Sequence, residues 1–255
     1  MGAISSSPDI HMLAKNGQNA ELMQAILRHP KLIDKRDKMG KTPLLIACEY
    51  NQVETVKILI DAGADRTLTS SPAGTGSKPI HVCAENGSKE SLLHLLNIGE
   101  DINAQDTYGW TPLHFACDKR HGGTALLLIE QGADVNSVNH SKETPLHFAA
   151  KSGLSNLAQK LIDRKANVNA MDNDVWTPLH TACKWNRMET AVLLTKNGAD
   201  VNALDEVRYE VHFNCIHPSR HSYLVAIFIK VSFVTYISLL RRRTMCLSNM
   251  RPRRN

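Results

Sequence analysis

The chain has 255 residues, of which 42% are hydrophobic and 22% are charged, a composition that disfavours collagenous, disordered and wholly membrane-embedded classes. Aromatic residues make up only 5%, which is low for the core of a β-sandwich or β-barrel. Residues 1–206 carry 21 basic and 24 acidic side chains, a net charge of −3, whereas residues 207–255 carry nine and one, a net charge of +8. A mildly acidic body with a basic tail does not indicate a uniform nucleic-acid-binding surface, so we expect no nucleic-acid partner.

The six cysteines, at positions 48, 83, 117, 183, 215 and 246, form no Cys-x-x-Cys pair. The sequence also begins without a hydrophobic leader, so it gives no support for a secreted disulfide framework or a zinc module. These features indicate a reducing compartment. We expect a cytoplasmic location, with nuclear or membrane-associated locations left open.

Residues 1–7 form an N-terminal extension that begins Met-Gly-Ala-Ile-Ser-Ser. With Gly2 and Ser6, this segment fits the pattern for N-terminal myristoylation. The pattern is short enough to arise by chance, and one myristoyl chain gives only marginal membrane binding. Gly2 is therefore a candidate lipidation site, with chance occurrence as the alternative.

A repeated unit follows and determines the architecture. Prolines at 43, 79, 112, 145 and 178 lie in Thr-Pro-Leu-His or similar motifs, at spacings of 36, 33, 33 and 33 residues. The sequence Gly-Ala-Asp-Val-Asn, or a close variant, recurs near the end of each unit, and residues 9–17 match 145–153 in outline. The repeat predicts a domain over 8–209 with six units, at 8–41, 42–77, 78–110, 111–143, 144–176 and 177–209.

Each unit predicts two helices and a protruding finger. Pro112 suits the first turn of a helix, where its missing N–H is no loss, and Thr111 can cap that turn. In the second half of a unit, Leu154, Leu157, Ala158, Leu161 and Ile162 have the spacing of one apolar helix face. Gly132 and Gly198 can end their helices in the left-handed conformation. A single unit cannot cover its own apolar face, so neighbouring units must stack into a solenoid.

The period and both motifs resemble the ankyrin repeat family over about four fifths of the chain. The resemblance implies an all-α fold, a solenoid of stacked helix-turn-helix units with protruding β-hairpin fingers. It also implies that His81, His114, His147 and His180 form hydrogen bonds around the Thr-Pro turn, one repeat apart and too far from one another to share a metal ion. Cys48, Cys117 and Cys183 occupy the position held elsewhere by Ala84 and Ala150, and are interpreted as buried core residues.

No catalytic motif accompanies the repeat. The sequence has no Gly-x-Ser-x-Gly, P-loop, dinucleotide fingerprint or His-Glu-x-x-His. We therefore expect a protein that is not an enzyme and that needs no cofactor or metal.

The resemblance places partner binding on a concave face formed by the finger tips and the inner helices, called the inner face below. The family's variable positions include two residues after the finger's Asp, the residue before Thr-Pro, and two residues near the end of the inner helix. In this sequence they are Lys38, Met39, Lys41, Glu49, Tyr50, Glu85, Asn86, Thr107, Tyr108, Trp110, Asp118, Lys119, His140, Ser141, Glu143, Lys151, Ser152, Asn173, Asp174, Trp176, Lys184 and Trp185.

All three tryptophans of the chain belong to this set, as do Tyr50 and Tyr108. Large aromatic side chains with a polar group often dominate binding energy, at roughly 2 kcal/mol or more for each hot spot. For Trp110 and Trp176, packing on a neighbouring finger is an equal alternative. Trp185 occupies a position that is usually polar in the family, which makes it the strongest candidate for partner contact.

Two further features have alternative interpretations. The unit of 36 residues carries extra Gly, Ser and Pro in its finger, at 67–78, which predicts a surface loop that is either a partner contact or a tolerated insertion. Asn103, Asn136, Asn169 and Asn202 each follow a leucine by eight residues, which is similar to ankyrin asparagines that a cytosolic asparagine hydroxylase modifies. The alternative, which we prefer, is that these asparagines are family consensus.

The repeat pattern dissolves after 209, and residues 210–255 form a divergent tail that is first hydrophobic and then basic. Its apolar run at 222–240 contains Lys230 and is followed by six arginines, so insertion into a membrane is marginal and its orientation is awkward. The preferred interpretation is a truncated or read-through end. A cap on the open end of the solenoid ranks second, and a membrane segment ranks third.

The sequence thus predicts a monomeric, non-catalytic module that binds another protein on the inner face, as a scaffold, adaptor or inhibitor. The identity of the partner does not follow from the fold. The alternative is the cytosolic fragment of a membrane-associated protein, such as an ankyrin-bearing channel.

Overall fold

The computed structural model describes residues 9–70 and 76–203. This part of the chain contains twelve α-helices in six pairs and one short 3-10 helix, Pro30–Leu32. The first helices of the pairs, the inner helices, are α1 (Ile10–Asn16), α3 (Pro43–Glu49), α5 (Pro79–Asn86), α7 (Pro112–Asp118), α9 (Pro145–Ser152) and α11 (Pro178–Lys184). The second, the outer helices, are α2 (Asn19–Arg28), α4 (Val53–Asp61), α6 (Lys89–Asn97), α8 (Gly122–Glu130), α10 (Ser155–Asp163) and α12 (Met188–Lys196).

Four of the six inner helices begin at Thr-Pro motifs, as the sequence predicts, while α5 begins at Lys-Pro and α1 has no proline at its start. Thr42 has an extended backbone, and its hydroxyl accepts a hydrogen bond from the Leu45 N–H at 3.4 Å. Thr177 does the same for the His180 N–H, also at 3.4 Å. Proline at the next position gives up no hydrogen bond, because the first N–H groups of a helix have no partner within it.

The outer helices are amphipathic and turn one apolar face towards the inner helices. In α10, Leu157, Ala158 and Leu161 are buried, while Leu154 and Ile162 at its ends are partly buried against the same core. The predicted apolar face is therefore confirmed. Burial of a whole leucine side chain contributes roughly 1.5–3 kcal/mol, so this face holds the helix against the rest of the unit.

The units stack in series. Each inner helix packs against the inner helix of the next unit, and each outer helix packs against the next outer helix. The buried side chains form one continuous apolar core from Ile10 to Ala203. Leu44, Leu113, Leu146 and Leu179 follow the prolines and are all fully buried. A stacked array of this kind gains its stability from each unit and from the interface with its neighbours.

The fingers are tight turns, and the part of the chain described contains no β-strand. In the third finger the Asp106 N–H donates to the Trp110 carbonyl at 3.0 Å, and the Asp106 carboxylate accepts the Trp110 N–H at 2.8 Å. The next finger is joined to it by the His140 N–H, which donates to the Tyr108 carbonyl at 2.9 Å. These bonds close hairpin-like turns but do not form the repeated ladder that defines a strand.

Asparagine side chains tie successive fingers together. The side-chain oxygens of Asn103, Asn136 and Asn169 accept the backbone N–H groups of Asp134, Asn167 and Asp200, at 2.7–2.9 Å. Asn136 also donates to the Lys165 carbonyl at 3.0 Å, and Asn169 to the Gly198 carbonyl at 3.1 Å. The recurring Val-Asn or Ile-Asn of the sequence thus has a structural role, whether or not the asparagines are also modified.

The longer second finger closes at its neck, where the Ser70 N–H donates to the Ser77 carbonyl at 3.1 Å. The extra residues of the predicted loop at 67–78 fall partly outside the described residues, which resume at Gly76. Gly2 and the apolar run at 222–240 also lie outside them. Within residues 9–70 and 76–203, no helix has both the length and the apolar character needed to cross a membrane.

Candidate partner-binding surface

The structure brings finger residues and inner-helix residues onto one surface. In the first two units the Lys41 ammonium lies 2.6 Å from the Glu49 carboxylate, which joins a finger to the end of α3. Between the last two units the Lys184 ammonium lies 4.2 Å from the centre of the Trp176 ring, which joins a finger to the end of α11. These contacts define the inner face in the structure.

The predicted residues differ in how much of each is available on this face. The exposed ones are Lys38, Met39, Tyr50, Asn86, Thr107, Tyr108, Lys119, His140, Ser141, Asn173, Asp174, Lys184 and Trp185. The half-buried ones are Lys41, Glu49, Glu85, Trp110, Asp118, Glu143, Lys151 and Trp176. Ser152 is buried, and its hydroxyl donates to the Cys117 carbonyl at 3.2 Å, so it offers no surface to a partner.

At the N-terminal end, α1, the first finger and the end of α3 enclose a groove of about 850 Å³, called the N-terminal groove. Its predicted members include Lys38, Met39 and Tyr50, all exposed. Met12 and Lys15 of α1 line the same groove, and the Lys15 ammonium lies 4.7 Å from the centre of the Tyr50 ring. The groove therefore combines exposed apolar side chains with ammonium groups.

In the middle of the inner face, Trp110 is a packing residue. Its ring centre lies 5.1 Å from that of Phe115 in the fourth unit and 4.5 Å from that of Phe148 in the fifth, with both ring pairs tilted. Tyr108, on the same finger, points away from the core and is 56% exposed. Of the two, only Tyr108 presents most of its ring area to a partner.

Two ion pairs connect the ends of inner helices across this middle region. The Lys119 ammonium lies 3.3 Å from the Glu85 carboxylate, and the Lys151 ammonium lies 3.2 Å from the Asp118 carboxylate. All four groups are partly exposed, so each pair contributes little stability, about 0–1 kcal/mol. Their main effect is to neutralise charge in the centre of the inner face.

At the C-terminal end, Trp176 and Trp185 flank a cleft of about 370 Å³. The Lys151 ammonium lies 5.8 Å from the centre of the Trp185 ring, and the Lys184 ammonium caps the Trp176 ring. Trp185 is 47% exposed, an area that is unusual for tryptophan in a region without a partner. Asn173 and Asp174 lie on the finger above, where the Asn173 N–H donates to the Ser141 carbonyl at 2.9 Å.

The sequence reasoning missed the contribution of α1 to the inner face. Because the first unit lacks Thr-Pro, the variable positions were assigned from Lys38 onwards. The match of residues 9–17 to 145–153 would have placed Met12 at the position of Phe148 and Lys15 at the position of Lys151. That alignment is the sequence signal that indicates the contribution of α1 to the inner face.

The four repeated histidines have a structural role rather than a binding one. In the fourth unit the His114 Nδ1 accepts the Thr111 N–H at 3.1 Å, and its Nε2 lies 3.1 Å from the Glu143 carbonyl of the next finger. His147 bonds equivalently, with its Nε2 3.0 Å from the Trp176 carbonyl, whereas the His81 Nε2 lies 2.8 Å from the Ala104 carbonyl. The Thr177 N–H donates to the His180 Nδ1 at 3.1 Å. The predicted bonding around the Thr-Pro turn is confirmed.

Burial keeps the imidazoles of His81, His114 and His147 neutral. It lowers the pKa of His114 from its ordinary 6.5 to about 4, and lowers the pKa of His81 and His147 in the same direction. Because Nδ1 accepts a backbone N–H, the proton of the neutral ring lies on Nε2, which donates it to the carbonyl. His81, His114 and His147 thus each hold an inner helix to the finger that follows it.

Three of the four cysteines in the described residues are equally inaccessible. Cys48, Cys83 and Cys117 are free thiols with no exposed surface. Burial raises the pKa of Cys83 and Cys117, so both remain protonated and unreactive. In residues 9–70 and 76–203 no three side chains among His, Cys, Asp and Glu are grouped so that they could hold a metal ion.

Paired helices, turn fingers and a continuous stacked core define the chain as a helical-repeat solenoid. Three copies of the family model for ankyrin repeats match residues 10–106, 67–139 and 123–205. The chain belongs to the ankyrin repeat family. Its fold is typically a non-enzymatic interaction module, and no catalytic family is indicated.

Two relatives match the repeats over only a small part of their own length. Over 104 residues the chain is 32% identical to target of rapamycin complex 2 subunit AVO2 of Saccharomyces cerevisiae. The matched segment covers 40% of this chain and 24% of that protein. It is 33% identical over 90 residues to human transient receptor potential cation channel subfamily A member 1, and here the matched segment covers 35% of this chain and 8% of that protein. The chain therefore matches no more than about a quarter of the length of either relative.

A solved structure agrees in fold. The ankyrin repeat domain of Bcl-3, described as a member of the IkappaB protein family, superposes with a TM-score of 0.69 at 24% sequence identity. The superposition covers 82% of this chain and 93% of that one. At this identity the likeness shows the fold alone.

Proposed function

We propose that this protein is a non-catalytic interaction module that binds a partner protein on its inner face, as a scaffold, adaptor or inhibitor. The observation that carries the proposal is the row of exposed aromatic side chains along that face. Tyr50, Tyr108 and Trp185 are 46%, 56% and 47% exposed, and each lies beside a finger or at the end of an inner helix. A folded protein usually buries such side chains unless they serve an interface.

The rigid frame beneath these side chains supports tight binding. Inner helices and fingers are fixed by the buried histidines and by backbone hydrogen bonds between fingers, so a partner would not have to order them. Binding to a pre-organised surface avoids part of the entropic cost of association. The aromatic rings would then supply the desolvated contacts that dominate interface energies.

Partner capture with matched variants tests the proposal. The full chain is used as bait in native cell extract, beside a Tyr108→Ala/Trp185→Ala variant that removes two exposed rings of the inner face. A Met23→Ala/Leu27→Ala variant is the control, because both side chains are exposed but belong to the outer helix α2. Circular dichroism and thermal melting establish that all three baits are folded.

The proposal expects a protein that the wild-type and control baits retain and the aromatic variant loses. Equal retention by all three baits would refute binding through these aromatic residues. Retention lost only with the control variant would move the binding surface to the outer helices.

An alternative function is that of a cytosolic part of a membrane-associated protein. It is motivated by the apolar run at 222–240, which lies outside the described residues, and by the similarity to a cation channel. Carbonate extraction of the full chain from cell membranes tests it. Retention in the membrane fraction would favour this alternative, and release into the supernatant would favour the interaction module alone.

A further inference from the structure

The N-terminal groove differs in charge from the middle of the inner face. In the middle of that face each lysine is paired, as Lys119 is with Glu85 and Lys151 with Asp118. The groove holds three further lysines: Lys15 on α1, and Lys35 and Lys38 on the first finger. Among the described residues, no carboxylate lies within ion-pair distance of any of these three ammonium groups.

The carboxylates that line the groove are already engaged within the fold. Asp9 accepts the His11 N–H at 3.1 Å and so caps α1. Asp37 accepts the N–H groups of Met39 and Lys41 at 2.8 Å each and so shapes the finger. Glu49 is paired with the Lys41 ammonium. These three acids leave the charge of Lys15, Lys35 and Lys38 uncompensated.

The apolar part of the groove is adaptable. Met12 and Met39 are exposed, at 48% and 72%, and Tyr50, the residue that follows α3, lines the same groove. Methionine is flexible and polarisable, and it suits surfaces that accommodate differing side chains. A volume of about 850 Å³ accommodates several residues of a bound segment.

We propose that the N-terminal groove binds an acidic segment of the partner protein, in which a large apolar side chain is flanked by Asp or Glu. This inference rests on the proposed function of the inner face as a partner-binding surface. The apolar side chain enters between Met12, Met39 and Tyr50, and the flanking carboxylates meet the ammonium groups of Lys15, Lys35 and Lys38. Complementary charge of this kind guides encounter and fixes the register of the segment.

The surroundings of the groove favour an acidic peptide over other occupants. The chain's own tail at 207–255 carries nine basic side chains and one acidic, so like charge opposes its binding. A nucleic acid would bring closely spaced phosphates against Asp9, Asp37 and Glu49 as well as the lysines.

An array of synthetic peptides tests the proposal with the full chain. Each peptide has a central Leu, Met or Phe between runs of Asp and Glu; one matched array replaces the acids with Asn and Gln, and another replaces the central residue with Ser. The strongest peptide is labelled with fluorescein, and its Kd is measured by fluorescence anisotropy at low and physiological salt. Lys35→Glu/Lys38→Glu reverses the charge of the groove, and Lys160→Glu/Lys196→Glu makes the same change at exposed positions of the outer helices α10 and α12.

We expect the acidic array to be bound and both matched arrays to bind less. Lys35→Glu/Lys38→Glu should weaken binding by about tenfold or more, while the outer-helix control stays within about twofold. The milder Lys35→Gln/Lys38→Gln should show a smaller effect in the same direction. Failure of the wild-type chain to bind any acidic peptide, equal binding of the amide peptides, or equal weakening by both charge reversals would overturn the proposal.

The result is separable from the test of the proposed function. The capture variant Tyr108→Ala/Trp185→Ala lies outside the N-terminal groove, so it leaves the groove intact. If capture depends on Tyr108 and Trp185 but acidic peptides do not bind, the partner-binding function stands and the acidic-segment inference fails. If neither test succeeds, both fail.

Discussion

Because the repeated histidines are buried, we expect the protein to lose stability in mild acid. His114 is the best residue for testing this effect, since its pKa is lowered to about 4. Its ring accepts the Thr111 N–H, lies within hydrogen-bond distance of the Glu143 carbonyl, and contacts Phe148 edge-on at 5.7 Å between ring centres. A proton added to this imidazole would occupy the Nδ1 lone pair that the Thr111 N–H now uses. Protonation therefore requires both the loss of that bond and the burial of a charge.

The sign and size follow from the lowered pKa. In the unfolded chain His114 has the ordinary pKa of 6.5, and in the fold burial lowers it to about 4. Above pH 6.5 both states are neutral and the full stability is present. Between pH 6.5 and about 4 only the unfolded state binds the proton, so stability falls by about 1 kcal/mol per pH unit, for a total of about 3 kcal/mol.

Urea unfolding of the full chain at several pH values between 7.5 and about 5 measures this slope. The variant His114→Gln keeps a polar group at the site and removes the titration, so its stability should fall less steeply with decreasing pH, by about 1 kcal/mol per unit. Leu128→Ala is the control, because it creates a cavity at a fully buried position and should lower stability equally at every pH. Parallel curves for wild type and His114→Gln would refute the reasoning.

Three further predictions concern stability near neutral pH. Trp110→Ala should cost about 2–3 kcal/mol, because its ring packs on Phe115 and Phe148, whereas Trp185→Ala should cost under about 0.5 kcal/mol. Gly109→Ala should lower the free energy of unfolding by at least about 1 kcal/mol more than Gly132→Ala does. Both glycines have positive φ, but of the two only Gly109 would place a Cβ against backbone, 3.0 Å from the His140 nitrogen. Asn136→Ala should cost about 1–2 kcal/mol and speed amide exchange at Asn167, whose N–H it binds. Urea unfolding measures all of these changes, and hydrogen exchange measures the last.

Each of these comparisons has a contradicting result. Equal losses for the two tryptophan variants would mean that Trp110 does not pack as the structure shows. A similar cost at Gly109 and Gly132 would mean that the fourth finger moves aside at no cost. Unchanged amide exchange at Asn167 would mean that its hydrogen bond to Asn136 does not stabilise the contact between the fingers.

The fold could be predicted from sequence because the repeat fixes local structure many times over. Thr-Pro starts most inner helices, and the apolar spacing of residues such as Leu157 and Leu161 orients the outer helix. A residue with positive φ follows the end of the outer helix, glycine in four units and Lys165 after α10. Each signal lies within one unit, and stacking follows because no unit can bury its own face.

The contribution of individual residues to the inner face could be predicted only in part. The packing of Trp110 depends on Phe148, which lies two units further on and is 38 positions away. Sequence alone therefore left its packing and binding interpretations equal. The exposure of Trp185 follows from a local feature, the end of α11, and agrees with the interpretation of an unusual residue at a polar position.

The asparagine bonds also show where the array departs from its own regularity. Asp34 takes the asparagine position in the first finger and accepts the Asp65 N–H at 3.0 Å, while Asn103, Asn136 and Asn169 serve the later fingers. In the second finger the position is Thr67, whose hydroxyl donates at 2.6 Å to Asp65 of the same finger. A threonine side chain is too short to replace asparagine as a bridge to the third finger.

Other contacts join the fingers on either side of this irregular position. The Arg36 guanidinium of the first finger donates to the Thr69 carbonyl of the second at 2.7 Å, and the Arg66 guanidinium of the second lies 3.0 Å from the Glu100 carboxylate of the next unit. The second finger is therefore attached by charged side chains where the later fingers are attached by asparagines. Because ion pairs at such partly exposed positions contribute only about 0–1 kcal/mol, the junction between the second and third units is held mainly by its apolar core. The insertion is tolerated at this finger because α3 and α5 still pack directly below it.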